Sequence, residues 1–119
     1  MIVEQKKIIK PWGHELIWSH CNKFVGKLLY INKGHKLSRQ YHEQKEETIF
    51  VLTGTLLLEV GIPGQYFEKI DLKKGQSFHV TPGTIHRFCA YNGAVEVIEV
   101  STPQLDDVVR IEDDYQRIK

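Results

Sequence analysis

Potential metal ligands are concentrated in one short segment of the chain, Gln40 to Glu47, which immediately precedes an apolar run. Gln40 and His42 lie two residues apart, so in an extended strand they share a face. Glu47 begins the segment ETIFVL, whose apolar residues on both faces are typical of a strand covered on both sides. Imidazole and oxygen donors together bind divalent Zn, Mn, Fe, Co or Ni. The segment therefore contains candidate metal ligands, although a Glu beside a His in a polar turn is also typical of a solvated loop.

Strand alternation relates these side chains to one another. If Ile49 and Val51 face the interior of a barrel, Glu47 faces it too, near the start of its strand. The face changes between His42 and Glu47, so the intervening residues EQKE should form a turn or bulge. Gln40, His42 and Glu47 would then surround one point at the mouth of the barrel. An unpaired buried carboxylate costs on the order of several kcal/mol, and a cation would offset that cost.

A second candidate lies about forty residues later, in the segment GQSFHVTPGTIHRF, residues 75–88. The pattern predicts a strand at SFHV, a tight turn at Pro82-Gly83 and a following strand that begins at His86. A His at such a strand entry could point into the same site. On its own it is equally typical of a hydrogen-bonded surface residue.

Short strands separated by turns account for most of the chain. Between turn signals such as KPWG, IPG and TPG lie eight β-rich runs: ELIW, GKLLYIN, ETIFVL, TLLLEVG, YFEKIDL, SFHV, HRFCAY and VEVIEV. This pattern predicts an all-β sandwich or barrel. The tail, residues 105–119, is expected to form one short helix or an irregular closing segment. Its acidic side chains are expected to lie on a solvated face and to pair with Arg110.

Length and composition limit the classes of function. At 119 residues and a formal net charge of +1, the chain is expected to be one domain, residues 1–119, without a nucleic-acid partner held by bulk electrostatics. Its apolar runs are too short to span a membrane, and the N-terminal sequence lacks the apolar region of a signal peptide. Cys21 and Cys89 show no CxxC spacing and are expected to be free thiols. A cytoplasmic location is therefore expected.

The two polar segments together resemble the two sequence motifs of the cupin superfamily, a group of small double-sheet β-barrels. Five residues stand at positions of the first motif: Gly34, Gln40, His42, Glu47 and Gly54. Three stand at positions of the second: Gly75, Gly83 and His86. Gln40 replaces the usual first His, and Thr81 and Ala90 replace a Pro and an Asn. The resemblance implies an all-β cupin fold, a double-stranded β-helix or jelly-roll barrel.

The departures from the general cupin pattern resemble the phosphomannose isomerases. The segments KPWGHELIW, LSRQYHE and DDVVRIEDDY are similar to the C-terminal isomerase domain of the bifunctional mannose-6-phosphate isomerase/mannose-1-phosphate guanylyltransferases. This resemblance implies one divalent metal ion with four ligands: Gln40, His42, Glu47 and His86. It also implies a metal-dependent aldose–ketose isomerase that acts on a sugar or sugar phosphate.

Such an isomerase needs a Lewis acid on the sugar oxygens and a base that moves a proton between C1 and C2. Three residues on predicted strands are candidates for proton transfer: Lys27, His79 and Glu99. Ser38 shares a face with Gln40 and is expected to contact substrate. By the same alternation Arg39 and Arg87 point away from the site, so the sequence shows no inward phosphate-binding group. That absence favours an unphosphorylated sugar.

Other functions stay open. Because no residue securely provides the proton shuttle, the alternative is a non-catalytic, metal-containing cupin that binds a sugar or metabolite. An Fe(II) oxygenase would also use two histidines and one carboxylate. Exposed strand edges need cover, so a homodimer that exchanges an N-terminal strand is expected. The expected partners are thus a small-molecule sugar and a second copy of the chain, with no nucleic acid and no membrane.

Overall fold

The computed structural model describes residues 1–61 and 67–117. These residues contain twelve β-strands and no helix. Their bounds are β1 (Lys6–Lys10), β2 (Gly13–His20), β3 (Val25–Ile31), β4 (His35–Lys36), β5 (Arg39–Tyr41), β6 (Glu47–Thr53), β7 (Thr55–Gly61), β8 (Glu68–Lys73), β9 (Ser77–Val80), β10 (Ile85–Ala90), β11 (Val95–Ser101) and β12 (Val109–Glu112). One sheet has the order β1-β2-β3-β11-β6-β9. The other has the order β12-β5-β10-β7-β8, with β4 also paired to β10.

Apolar side chains from both sheets form the core between them. On β6, Glu47, Ile49 and Val51 are buried, whereas the residues between them are partly or fully exposed. This alternation is the two-residue period of a strand with one face on the core. Strand β10 is buried along its whole length, because it lies in the middle of its sheet. The expected all-β jelly-roll barrel is confirmed.

The predicted β-rich runs each overlap a strand, whereas β1, β4, β5 and β12 have no counterpart among them. Tyr66, the first residue of the run YFEKIDL, and the turn signal IPG at residues 62–64 lie outside the described residues. The tail is not helical within the described residues. Val109–Glu112 instead forms a strand antiparallel to β5, with Arg110 opposite Gln40.

The two polar segments are joined by backbone pairing. Residues 42–46 connect β5 to β6 without regular structure, which confirms the turn expected between His42 and Glu47. On the neighbouring strand, His86 lies directly opposite Gln40. Gly83, just before β10, has a φ of 81°, which favours glycine. Its N–H donates a 2.8 Å hydrogen bond to the carbonyl of His42, so the turn before β10 is attached to the loop that follows β5.

Within the described residues no helix is long and apolar enough to cross a membrane. Strand β1 pairs with β2 of its own chain. The homodimer, the single-domain organisation and the cytoplasmic location stay predictions.

Candidate metal centre

Three of the side chains predicted to bind metal converge inside the barrel. His42 follows β5, Glu47 begins β6 and His86 lies on β10, and one possible ligand atom from each falls within 4.8 Å of the others. Glu47 Oε1 lies 3.5 Å from His86 Nε2, and its Oε2 lies 3.7 Å from His42 Nε2. The three residues are at most 3% exposed. The group has the composition and closeness of a mononuclear metal site.

A backbone carbonyl orients each imidazole. His42 Nδ1 is hydrogen-bonded to the carbonyl of Asp107, and His86 Nδ1 to that of Thr84 at 2.9 Å. Because a carbonyl only accepts, Nδ1 carries the hydrogen in both rings and Nε2 presents a lone pair. Both Nε2 atoms are buried and have no hydrogen-bond partner within the described part of the chain. Such atoms are rare in folded proteins, and metal-binding histidines are held in this way by an outer hydrogen bond.

The protonation states also suit a cation. Burial lowers the pKa of both histidines, to about 4 for His86, so that ring is neutral at pH 7, the form that binds metal. Burial and the charge of Glu99 raise the pKa of Glu47 to about 7. A cation beside Glu47 would favour its ionised form. Two neutral imidazoles and one carboxylate fit divalent Zn, Mn, Fe, Co or Ni.

Gln40, the predicted fourth ligand, lines the same cavity as His42. Ser38 donates a 2.6 Å hydrogen bond to Gln40 Oε1 and is only 1% exposed. An amide oxygen has two lone pairs, so Gln40 Oε1 keeps one for a further interaction. Ser38, predicted to contact substrate, is therefore placed where its hydroxyl orients Gln40.

A buried ion cluster that the sequence did not indicate adjoins the ligands. Lys45 Nζ lies 3.0 Å from Oε2 of both Glu47 and Glu99. Burial alone would lower the pKa of Lys45, but the two carboxylates outweigh it and raise that pKa. Burial would likewise raise the pKa of Glu99, but Lys45 and Lys27 outweigh it and lower that pKa. Lys45 was missed because it lies in the EQKE loop, where strand alternation does not apply.

A cavity of about 110 Å³ opens beside His42 and Gln40. Five of the residues that line it are basic: Lys10, Lys27, Lys45, Arg110 and Arg117. Two acidic residues, Glu15 and Glu99, line it as well. Lys27, Lys45 and Arg117 are ion-paired with carboxylates, so within the described residues the unpaired positive charge of the cavity wall comes from Lys10 and Arg110 and is suited to an anionic group on a ligand.

The tail supplies two of these basic groups, which corrects one expectation. Arg110 does not pair with the acidic residues of the tail. Its buried Nε has no hydrogen-bond partner within the described residues, and burial and the charge of Arg117 lower its pKa. Glu112 and Asp114 instead bind Arg87, which is 1% exposed beneath the tail. The sequence also showed no inward phosphate-binding group near the two motifs, whereas Arg110 and Arg117 of the tail line the cavity.

Two of the three candidates for proton transfer line the cavity. Glu99 does so while paired with Lys45, and Lys27 does so while 3.5 Å from Glu15. The third, His79, does not. Its side chain is 51% exposed and hydrogen-bonded to Glu46.

The position of His79 follows from the alternation of β9. Val80 is buried and Phe78 packs against the core, so His79 between them points to the outer face. It lies opposite Thr48 of β6, which also faces outward. The expectation that His79 lines the barrel is therefore wrong, and the apolar residues on either side of it were the signal.

The fold and the ligand group define a class of protein. The cupin domain family matches residues 27–101, more than half of the chain, and this chain belongs to that family. It is 30% identical over 116 residues to the xanthan biosynthesis protein XanB of Xanthomonas campestris pv. campestris (strain B100). It is 28% identical over 118 residues to a mannose-1-phosphate guanylyltransferase of Escherichia coli. Each alignment covers 94% of this chain and 24% of the relative, so the chain spans about a quarter of the length of these relatives.

A solved structure shows the same fold. KdgF from Halomonas sp. superposes with a TM-score of 0.72 at 22% identity, covering 88% of this chain and 92% of KdgF. The similarity to XanB and to a mannose-1-phosphate guanylyltransferase is consistent with the resemblance to the bifunctional mannose-6-phosphate isomerase/mannose-1-phosphate guanylyltransferases.

Proposed function

We propose that this protein is a metal-dependent aldose–ketose isomerase acting on a sugar or sugar phosphate. One observation carries the proposal: the Nε2 atoms of His42 and His86 are buried without partners, face the carboxylate of Glu47 and lie beside a charged cavity. The resemblance of the chain to the isomerase domain of sugar-phosphate enzymes supports the choice of reaction.

In this proposal His42, Glu47, His86 and Gln40 hold one divalent metal ion, which when bound supplies Lewis-acid chemistry to the sugar oxygens. Glu99 is the proposed base that moves the proton between C2 and C1. It lines the cavity, and because Lys45 and Lys27 lower its pKa, it is ionised at neutral pH. Lys27 lines the same wall and is proposed to donate a hydrogen bond to a sugar oxygen.

The basic wall favours a phosphorylated substrate over a neutral one. Arg110 and Arg117 reach the cavity from the tail, and Lys10 reaches it from β1. Guanidinium groups bind phosphate oxygens through paired, charge-assisted hydrogen bonds. Arg117 Nε and Nη2 already donate to Asp113 at 2.7 and 3.1 Å, whereas Arg110 has no ion-pair partner within the described residues. We therefore propose that Arg110 binds the phosphate of the sugar while the carbonyl end of the sugar lies near His42.

A second candidate is a non-catalytic cupin that binds a sugar or metabolite. Both cavity-lining candidates for proton transfer are already paired: Glu99 with Lys45 at 3.0 Å, and Lys27 with Glu15 at 3.5 Å. An ion-paired carboxylate is a weaker base than a free one, and this observation favours binding without turnover.

The test separates the two functions. Protein loaded in turn with Zn, Mn, Fe, Co or Ni is incubated with mannose, lyxose or mannose 6-phosphate in deuterated water, and the ketose is followed by NMR. The isomerase predicts ketose formation, fastest with the phosphorylated sugar, and incorporation of solvent deuterium. Sugar binding by calorimetry without turnover of any aldose with any of these metals would contradict the isomerase and support the binding protein.

Variants assign the roles. Glu99→Gln should lower kcat by about 10²-fold or more, as expected for loss of a general base, and leave the metal content intact. Arg110→Met should raise KM for the phosphorylated sugar much more than for mannose. His79→Ala is the control, because its side chain lies on the outer face of the barrel, and it should leave both constants unchanged.

A further inference from the structure

The loop between two of the metal ligands is held by a distant segment of the chain. The carboxylate of Asp107 accepts hydrogen bonds from the backbone N–H groups of residues 43–45, at 3.0, 2.7 and 2.8 Å. The next N–H, that of Glu46, donates to Thr102 Oγ1 at 3.0 Å. The carbonyl of Glu46 in turn accepts from the N–H of Thr102 at 3.0 Å. All four N–H groups of residues 43–46 are thus satisfied by the segment that follows β11.

Asp107 also contacts a metal ligand directly. Its backbone carbonyl accepts the hydrogen bond from His42 Nδ1, although the two residues lie 65 positions apart. Its side chain therefore holds the loop while its main chain sets the tautomer and orientation of His42. Both interactions act on the segment whose two ends are His42 and Glu47.

We propose that Asp107 is a positioning residue of the metal centre, which orders residues 43–46 so that His42 and Glu47 face one point. The strand alternation that would otherwise place His42 and Glu47 is interrupted by this loop. The loop contains no apolar anchor in its EQKE sequence, so these hydrogen bonds and the buried ion pairs of Lys45 determine its path. The inference rests on the metal centre and not on the isomerase reaction.

The contacts of Asp107 predict a graded response to substitution. Three N–H groups share two carboxylate oxygens, and Asn offers only one oxygen, so Asp107→Asn keeps part of the interaction and Asp107→Ala keeps none. Asp106 provides a charge-matched control. It is exposed, and within the described residues its carboxylate makes no hydrogen bond or ion pair.

The first measurement is the affinity for zinc, by competition with a chelator of known affinity. Loss of an outer hydrogen-bonding partner typically weakens metal binding by about 10- to 100-fold. Asp107→Ala should raise the Kd for zinc by a factor within that range, and Asp107→Asn should raise it by a smaller factor. Asp106→Asn should change the Kd by less than about twofold.

The second measurement is the tautomer of His42 in the metal-free protein, by long-range proton–nitrogen NMR. The wild type should carry its hydrogen on Nδ1, and in Asp107→Ala the fraction with hydrogen on Nε2 should rise. A purely structural role would lower the melting temperature and move neither the tautomer nor the zinc affinity. If Asp107→Ala does not fold, the same two measurements on Asp107→Asn test the positioning role of Asp107.

The outcomes separate the claims. Zinc affinity within twofold of the wild type, with an unchanged His42 tautomer, would overturn the positioning role of Asp107. A wild type that binds zinc and turns over no aldose would overturn only the proposed reaction. A wild type that binds no zinc would overturn the metal centre, and this inference with it.

Discussion

Replacing Lys45 by Met removes the positive charge that lies between two buried carboxylates. Glu47 and Glu99 are 2% and 4% exposed, and Lys45 Nζ lies 3.0 Å from each. Met keeps the unbranched shape of the lysine stem, so the substitution mainly removes charge. The metal-free form of Lys45→Met must therefore either keep two unneutralised carboxylates together or take up a proton.

The magnitude follows from these two alternatives. Removing one partner of a buried ion pair typically costs about 3–5 kcal/mol. Proton uptake limits this cost, because burial and Glu99 already raise the pKa of Glu47 to about 7, and loss of Lys45 raises it further. The folded variant then binds a proton that the folded wild type lacks above pH 7. We expect a loss of about 3–5 kcal/mol at pH 8 that shrinks by up to ~1 kcal/mol on lowering the pH to 7, where Glu47 of the wild type is itself half protonated.

Urea unfolding of the metal-free proteins at pH 8 and pH 7 measures this loss. Lys36→Met is the matched control, because Lys36 pairs with Asp114 at 3.6 Å at the surface, where the side chains are 38% and 45% exposed. Its free energy of unfolding should change by about 0–1 kcal/mol. If Lys45→Met lowers the free energy of unfolding by no more than this control does, the charge of Lys45 does not hold Glu47 and Glu99 together. The ion cluster would then not contribute to stability as described.

Metal binding at pH 6 should release close to one proton, because burial and Glu99 raise the pKa of Glu47 to about 7, whereas His86, with a pKa of about 4, has none to lose. The apparent affinity should rise about fivefold from pH 6 to pH 7 and about a further twofold above pH 7, as Glu47 becomes fully ionised. Calorimetry at pH 6 in buffers of different ionisation enthalpy that finds no proton release would refute the raised pKa of Glu47. Arg87→Met should destabilise the protein by about 1–3 kcal/mol, because Arg87 donates from Nε to the partly buried carbonyl of Leu37 at 2.8 Å and the variant removes that donor. Urea unfolding checks this value, and a loss below about 0.5 kcal/mol would mean that the carbonyl finds another donor.

The convergence of His42, Glu47 and His86 could be predicted because part of the signal is local and the family resemblance joins the two segments. The apolar residues Ile49 and Val51 fixed the face of Glu47 two and four positions away, and the structure buries all three. The spacing of Gly83 and His86 likewise marked a turn and the strand after it, which the structure confirms.

The charged wall of the cavity could not be predicted in this way. Arg110 and Arg117 line the cavity only because β12 folds back onto β5, and no periodic pattern in a short window specifies such a distant pairing. Lys45 reaches the interior from a loop held by Asp107, which is again a distant contact. His79 differs, because its own strand contained the signal that it faces outward.

Elemental analysis of protein purified without added metal or chelator tests the central claim most directly. We expect close to one divalent metal ion per chain, loss of that ion in His42→Ala and His86→Ala, and only a modest decrease of the metal content in Gln40→Ala. Full metal content in both histidine variants would place the ion elsewhere. A wild type that stays metal-free after loading with zinc, manganese, iron, cobalt and nickel would contradict the metal centre itself.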